Sequence, residues 1–267
     1  MSKNRLEVII KIVKNVGNFI RNSIIDKNNI YVKTSKNDLV TKTDRDAEKK
    51  IVKVIQNNFP EDVILGEEFS EFSEGKITNY ENIKNLWIID PIDGTTNFIH
   101  DLPYYCISIA LMSNGVLKMG IIYDPINNEC FVAQKGKGLR LNGKLVKVSN
   151  EESLSESILS TNIPRLTDGE MRISSVAMFT LHSKARGLRA LGSTALQMAY
   201  VACGRLTGYW GYKLKPWDLA AATLMIEEAG GRVTDTGGNP YQLSTHSILG
   251  TNGLIHEDVI RILNQRS

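Results

Sequence analysis

Cysteine and histidine are scarce in this chain of 267 residues, which has three of the first and four of the second. Cys106, Cys130 and Cys203 are odd in number, widely spaced and set among apolar neighbours. That pattern excludes a disulfide framework or a zinc site and reads as reduced core thiols. His100, His182, His246 and His256 are scattered, so none is assigned a catalytic role. No hydrophobic run approaches membrane-spanning length, and Lys3, Arg5, Glu7, Lys11 and Lys14 interrupt the N-terminal apolar residues. Neither a signal peptide nor a membrane anchor is expected, and a cytoplasmic location is. A strong charge of one sign is also lacking. The net charge of +3 is too small to argue for nucleic acid, although it suits a small anionic substrate. Internal repeats and low-complexity segments are absent. What remains, 42% hydrophobic and 23% charged residues, is an ordinary globular composition, long enough for one large domain or two closely packed ones.

The stretch Leu86 to His100, LWIIDPIDGTTNFIH, is the most informative. An apolar run of strand type empties into two aspartates, a glycine and two threonines. A buried strand that delivers acids to its carboxyl end, followed by a tight turn with free backbone N–H groups, can hold a cation and an anion side by side. With Pro91 fixing the bend, the carboxylates of Asp90 and Asp93 and the carbonyl of Ile92 can converge on one cation. Gly94 lets the backbone approach a ligand, and Asn97 is positioned to start a helix. Taken alone, the stretch reads equally well as an Asp-Pro, Asp-Gly turn between strands.

Before it, apolar residues recur at helical spacing from residue 3 to about 25, and Ile30 to Lys33 reads as extended. A second helix starts after KTSKNDLVT, with Thr43 as cap, Asp46 as the acid of a capping box and Asp44 in the first turn. Val63 to Leu65 is a short strand ending in Gly66-Glu67-Glu68, where a buried glutamate would be costly without a cation. Phe69 to Asn85 reads as a loop. After the central stretch, CISIALM and VLKMGIIY form a hairpin through Ser113-Asn114-Gly115, and CFVAQ, LRL and LVKVS extend an antiparallel meander. The composition changes between Ser149 and Ser155, which divides an N-terminal half, 1–150, from a C-terminal half, 151–267. In the second half strands at Ile158, Leu188 and Thr207 alternate with helices near Thr167 to His182 and Ser193 to Cys203. The helix LAAATLMIEEAGG, strands near Val233 and Ile248 and a helix from Glu257 complete an α/β pattern.

DLVTKTD at 38–44, GEE at 66–68, WIIDPIDGTTNF at 87–98 and WDLAAATLMIEEAGG at 217–231 together resemble the inositol monophosphatases, within the lithium-sensitive, magnesium-dependent phosphatases that include the fructose bisphosphatases. KGKGLRLNGKLVKVS at 135–149 and LGSTALQMAYVACGR at 191–205 extend the resemblance over nearly the whole chain. It implies a layered α-β-α-β-α sandwich, a homodimer, and a site between the two halves. It also implies magnesium, with Glu67, Asp90 and the Ile92 carbonyl binding a first ion and Asp90, Asp93 and Asp218 a second. A weaker third ion would sit on Glu67 and water. Asp44 and Thr95 would orient and deprotonate the attacking water, and the N–H groups of Gly94 and Thr95 would hold the phosphate. Lys33 would lie near the phosphate, and Gly192, Ser193 and Thr194 would line the alcohol side.

Two ions that clamp the attacking and leaving oxygens would meet the demand of phosphate-ester hydrolysis, whose accelerations approach ~10²¹. A covalent role for Asp90 is disfavoured, since nothing else resembles a phosphoenzyme context. The chain departs from the pattern at Gly211, seven residues before Asp218, where many members carry a glutamate that binds the inositol ring. Thr207 also replaces a residue that is often acidic. The expected reaction is therefore magnesium-dependent hydrolysis of inositol 1-phosphate or a related small polyol phosphate. NADP, fructose bisphosphate, histidinol phosphate and 3′-phosphonucleotides stand as alternative substrates, and a non-catalytic regulator is the competing class. Gly211 is expected either to leave the alcohol side roomier or to permit a positive-φ turn, with Glu227 or Asp235 reaching the ring instead.

Overall fold

The computed structural model describes residues 4–23, 30–32, 39–68, 80–163 and 168–265. Two helices come first, α1 (Arg5–Arg21) and α2 (Lys42–Asn58), with a small hairpin of β1 (Ile30–Val32) and β2 (Leu39–Thr41) between them. A seven-stranded sheet follows, made of β3 (Val63–Gly66), β4 (Leu86–Asp93), β5 (Cys106–Ser113), β6 (Val116–Asp124), β7 (Glu129–Gln134), β8 (Leu139–Leu141) and β9 (Lys144–Val146), which lie in sequence order. A short helix, α3 (Thr95–Ile99), interrupts it after β4. The β5–β6 turn uses Asn114 at φ 48° and Gly115 at φ 73°, the left-handed pair that the Asn-Gly sequence predicts.

The second sheet has five strands in the order β11 (Gly187–Arg189), β10 (Ile158–Thr161), β12 (Gly208–Tyr212), β14 (Ser247–Thr251), β13 (Arg232–Thr234). Four helices belong to this half: α4 (Asp168–Lys184), α5 (Thr194–Ala202), α6 (Pro216–Glu228) and α7 (His256–Leu263). Strand alternation explains how the elements stack. In β4 and β5, Trp87, Ile89, Ile107 and Ile109 face α1 and α2, forming one core with Ile9, Val13, Ile51 and Ile55. Their neighbours Leu86, Ile88, Cys106 and Ala110 face the opposite way, onto Leu196, Leu219, Ala221 and Leu224 of α5 and α6. In β12, Tyr209 joins this second core, whereas Trp210 packs with Leu181, Val259 and Ile262 of α4 and α7. Five layers result, helix, sheet, helix, sheet, helix, as the resemblance implied. β4 is covered on both faces, and all eight of its residues are buried, which accounts for an apolar run without alternation.

The first turn of α2 corrects the sequence reading. Thr41 caps the helix and Asp44 closes the capping box, not Thr43 and Asp46. Both pairs have the same three-residue spacing. The upstream pair prevails because Asp44 is buried and receives the Thr41 N–H at 2.9 Å together with the Thr41 hydroxyl. α3 likewise begins at Thr95 behind Gly94, whose φ is 105°, and not at Asn97. The Asn97 amide instead donates to the carbonyls of Tyr104 and Leu191, each at 2.7 Å.

Candidate active site

Asp90 pairs with Ser108 of β5 and Asp93 with Cys106, so three steps along β4 oppose two along β5. This bulge reverses the alternation of the strand, and two aspartates that a regular strand would send to opposite faces share one. Asp90 is pinned from its own turn by the Ile92 N–H at 2.9 Å. Asp93 is held from across the molecule by the Ser193 hydroxyl and the Ala195 N–H, both at 2.6 Å. Asp218 enters from the first turn of α6, where the Lys215 N–H donates to it at 2.8 Å. The helix start is tied to the large sheet by Ser108, whose hydroxyl donates to the Trp217 carbonyl at 3.2 Å. Carboxylate oxygens of Asp90, Asp93 and Asp218 thereby come within 4.8 Å of one another. The Glu67 carboxyl, at the end of β3, hydrogen-bonds to Asp90.

The electrostatics of this cluster follow from crowding. Burial, then repulsion from Glu67, Asp93 and Asp218, holds the Asp90 carboxyl well above the usual carboxylate range. Burial and the charges of Asp93 and Glu67 do the same to Asp218. Asp93 is pushed up to about 6 by burial, against the opposing hydrogen bonds from Ser193, Ala195 and Thr194. A divalent cation among these carboxyls would offset their mutual repulsion. The donor set is entirely oxygen and partly shielded from water, which fits magnesium.

Beside the cluster, the Thr95 hydroxyl lies 2.9 Å from Asp44 Oδ1 and 3.0 Å from the Ile92 carbonyl. Burial raises the Asp44 pKa, and hydrogen bonds from Thr41 and Thr95 oppose the rise. Asp44, Thr95, Glu67, Asp90, Asp93 and Asp218, expected from sequence, are thus brought together. Lys33 lies outside the described residues. Ser193 is buried and spends its hydroxyl on Asp93, and the Thr194 hydroxyl pairs with Tyr209 Oη at 3.0 Å. Both hydroxyls are thus engaged within the protein.

Gly211 does not open the alcohol side. It sits in β12 opposite Ile248, outside the positive-φ region, and the left-handed residue nearby is Lys213 at φ 55°. A Cβ built on Gly211 would stand 2.7 Å from Tyr209 Oη and 2.9 Å from both Asn162 Oδ1 and Leu214 Cδ1. Glu227 pairs with Lys135 at 3.2 Å and Asp235 accepts the Asn239 N–H at 2.8 Å, so both alternative acids are engaged elsewhere. Thr207 is buried and accepts the Ile158 N–H at 3.3 Å. Sequence reasoning missed the cap Thr41, whose partner Asp44 is local, and the roles of Asn97, Ser108 and Asn162, polar residues with partners far along the chain. It also missed Glu48, which left one signal, an acid in the otherwise apolar stripe Ala47, Ile51, Ile55 of α2.

The chain is similar to known proteins over nearly its whole length. A profile of the inositol monophosphatase family matches residues 1–267. A fructose-1,6-bisphosphatase/inositol-1-monophosphatase of Thermotoga maritima is 36% identical over 262 residues, 98% of this chain and 96% of its own. A Nus factor SuhB of Pasteurella multocida is 35% identical over 259 residues, 96% of this chain and 95% of its own. Among solved structures, that of an IMPase/NADP phosphatase complexed with Mg2+ and phosphate superposes with a TM-score of 0.85 at 27% identity, covering 98% of this chain and 95% of the other. With an acidic cluster at the bulge of β4, five alternating layers and a full-length profile match, the chain belongs to the inositol monophosphatase family of phosphatases.

Proposed function

We propose that the protein is a magnesium-dependent phosphomonoesterase acting on inositol 1-phosphate or a related small polyol phosphate. The observation that carries this reading is the position of the Asp44–Thr95 pair beside the cluster of Asp90, Asp93 and Asp218. Glu67, Asp90 and the Ile92 carbonyl would hold one ion and Asp90, Asp93 and Asp218 another, with a third on Glu67. When bound, magnesium sets positive charge against the phosphate oxygens and makes water more acidic. Thr95, donating to Asp44, turns its oxygen lone pairs outward to receive a proton from the attacking water. Its own proton passes to Asp44, which burial makes a better base than an exposed aspartate. The N–H groups of Gly94 and Thr95 would orient the phosphate; Lys33, the other expected phosphate contact, is not among the described residues.

Position 211 supplies no carboxylate to the alcohol, and the side chains nearest to it, Tyr209, Asn162 and Leu214, are uncharged. This supports a broader substrate range than a dedicated inositol enzyme has. Phosphate release with magnesium from inositol 1-phosphate, fructose 1,6-bisphosphate, NADP, histidinol phosphate and a 3′-phosphonucleotide tests both claims. Hydrolysis of none would reject the reading, and a single accepted substrate would reject the breadth. Lithium is expected to inhibit, as the resemblance implies. Relatives named Nus factor SuhB favour a second reading, a role in binding a partner; retention of the Asp44–Thr95 pair speaks against that as the sole role. A homodimer is inferred from the resemblance and from exposed Ile163, Val176 and Phe179, and light scattering at the monomer mass would exclude it. Among the described residues no helix is long and apolar enough to cross a membrane.

A further inference from the structure

Glu48 stands on α2 one turn beyond Asp44 and is fully buried. A carboxyl group in such a place is unfavourable unless its oxygens are hydrogen-bonded, and one oxygen has a defined partner. Glu48 Oε2 accepts the backbone N–H of Glu68 at 2.9 Å. The remainder of the carboxyl lies flat against Gly66. A Cβ built there would stand 2.6 Å from Glu48 Cδ and 2.9 Å from Oε2, with Oε1 nearer still, so only glycine lets the end of β3 pass over this side chain. Both neighbours of Glu67 in the chain are therefore set by Glu48, and the Glu67 N–H is tied to the Ile89 carbonyl at 3.1 Å. The same helix carries Asp44, which reaches the turn after β4 through Thr95. α2 thus grips both strand ends that carry the acids.

We propose that Glu48 is a positioning residue: it fixes the turn Gly66–Glu68 so that the Glu67 carboxyl stays beside Asp90, and it thereby sets the affinity of the site for divalent cations. The proposal rests on the metal reading above. Glu48 touches neither substrate nor reacting atoms, and its effect is exerted through Glu67.

Direct titration with Mn2+, followed by electron paramagnetic resonance without substrate, separates position from charge. Glu48→Asp keeps the charge but withdraws the carboxylate by one methylene; Glu48→Gln keeps the reach and an acceptor oxygen but loses the charge. Loss of an outer partner of a metal ligand weakens binding about ten- to a hundredfold, so Glu48→Asp is expected to show that loss while Glu48→Gln stays within about threefold of wild type. Wild-type affinity in folded Glu48→Asp would overturn the proposal. So would an equal loss in Glu48→Gln, which would make charge the cause. If Glu48→Asp does not fold, Gly66→Ala presses on the carboxyl from the other side, and the same loss is expected; unchanged affinity there overturns the proposal as well. Wild-type protein that binds no Mn2+ would overturn the metal reading itself, and this inference with it.

Discussion

Thr95 and Gly211 show how differently single residues of the site stand toward the reaction. Thr95 lies 2.9 Å from Asp44, and in the proposed mechanism its hydroxyl would matter most as the water loses its proton. Thr95→Ala is therefore expected to lower kcat about 10²-fold or more with little change in KM, since the lost interaction strengthens mainly in the transition state. Steady-state constants with inositol 1-phosphate check this, and an effect confined to KM would make Thr95 a phosphate ligand only. Gly211 carries the opposite lesson. The sequence marks it as the place where a ring-binding carboxylate is absent, which suggests that restoring a glutamate would restore recognition. Its Cβ position is closed by the buried Tyr209 and Leu214 and by Asn162. Gly211→Glu is thus expected to destabilise the protein by about 1–3 kcal/mol, the usual range for overpacking, without a gain in preference for inositol 1-phosphate. Urea unfolding and the kcat/KM ratio against fructose bisphosphate measure the two parts. A variant of unchanged stability and sharpened preference would refute the packing argument.

The helices and strands were legible to different degrees, for physical reasons. α1 has an apolar stripe on one side and β4 an apolar run ended by acids, and both patterns survive in the structure because burial of one face or of both leaves a direct trace in sequence. Helix starts were less legible. Thr41–Asp44 and Thr43–Asp46 satisfy the same local rule, and only tertiary burial of Asp44 selects the first. Asp62, in the connection from α2 to β3, had no signal at all. Its carboxylate accepts from Arg5 at 3.0 Å, from Asn85 at 2.8 Å and from the Trp87 indole at 3.0 Å, joining the start of α1 to β4. Asp62→Ala would leave the buried indole N–H unpaired. A loss of about 1.5–3 kcal/mol is expected, as for hydrogen bonds to a charged group. Denaturant unfolding followed by tryptophan fluorescence checks it, and a loss below experimental error would show that solvent replaces these bonds.

At the scale of the whole molecule, the acids gathered between the two sheets are expected to make stability depend on pH and on metal. The Asp93 carboxyl is pushed from 3.8 to about 6 in the folded protein, and Asp90 and Asp218 are also raised. The folded state therefore holds protons that the unfolded chain has released. For Asp93 the stabilising contribution is complete below the unfolded value of 3.8 and is lost as pH rises through about 6; for Asp90 and Asp218 the loss with rising pH has the same sign. Without metal, Tm is expected to fall between these values, after allowance for the other groups that titrate there, and saturating magnesium is expected to remove much of the fall. Thermal unfolding from pH 4.5 to 7.5 with magnesium or with a chelator measures this, and a metal-independent profile would argue against cation binding by the cluster. The sequence by itself determined the acids, the strand ends that carry them and the order of elements, because period, turn chemistry and local motif are written in neighbouring residues. Tertiary structure alone decided that a bulge turns Asp90 and Asp93 to one side, that Ser193 and Ala195 grip Asp93, and that the space at Gly211 is filled. Those outcomes depend on which distant surfaces meet, and no local pattern records that.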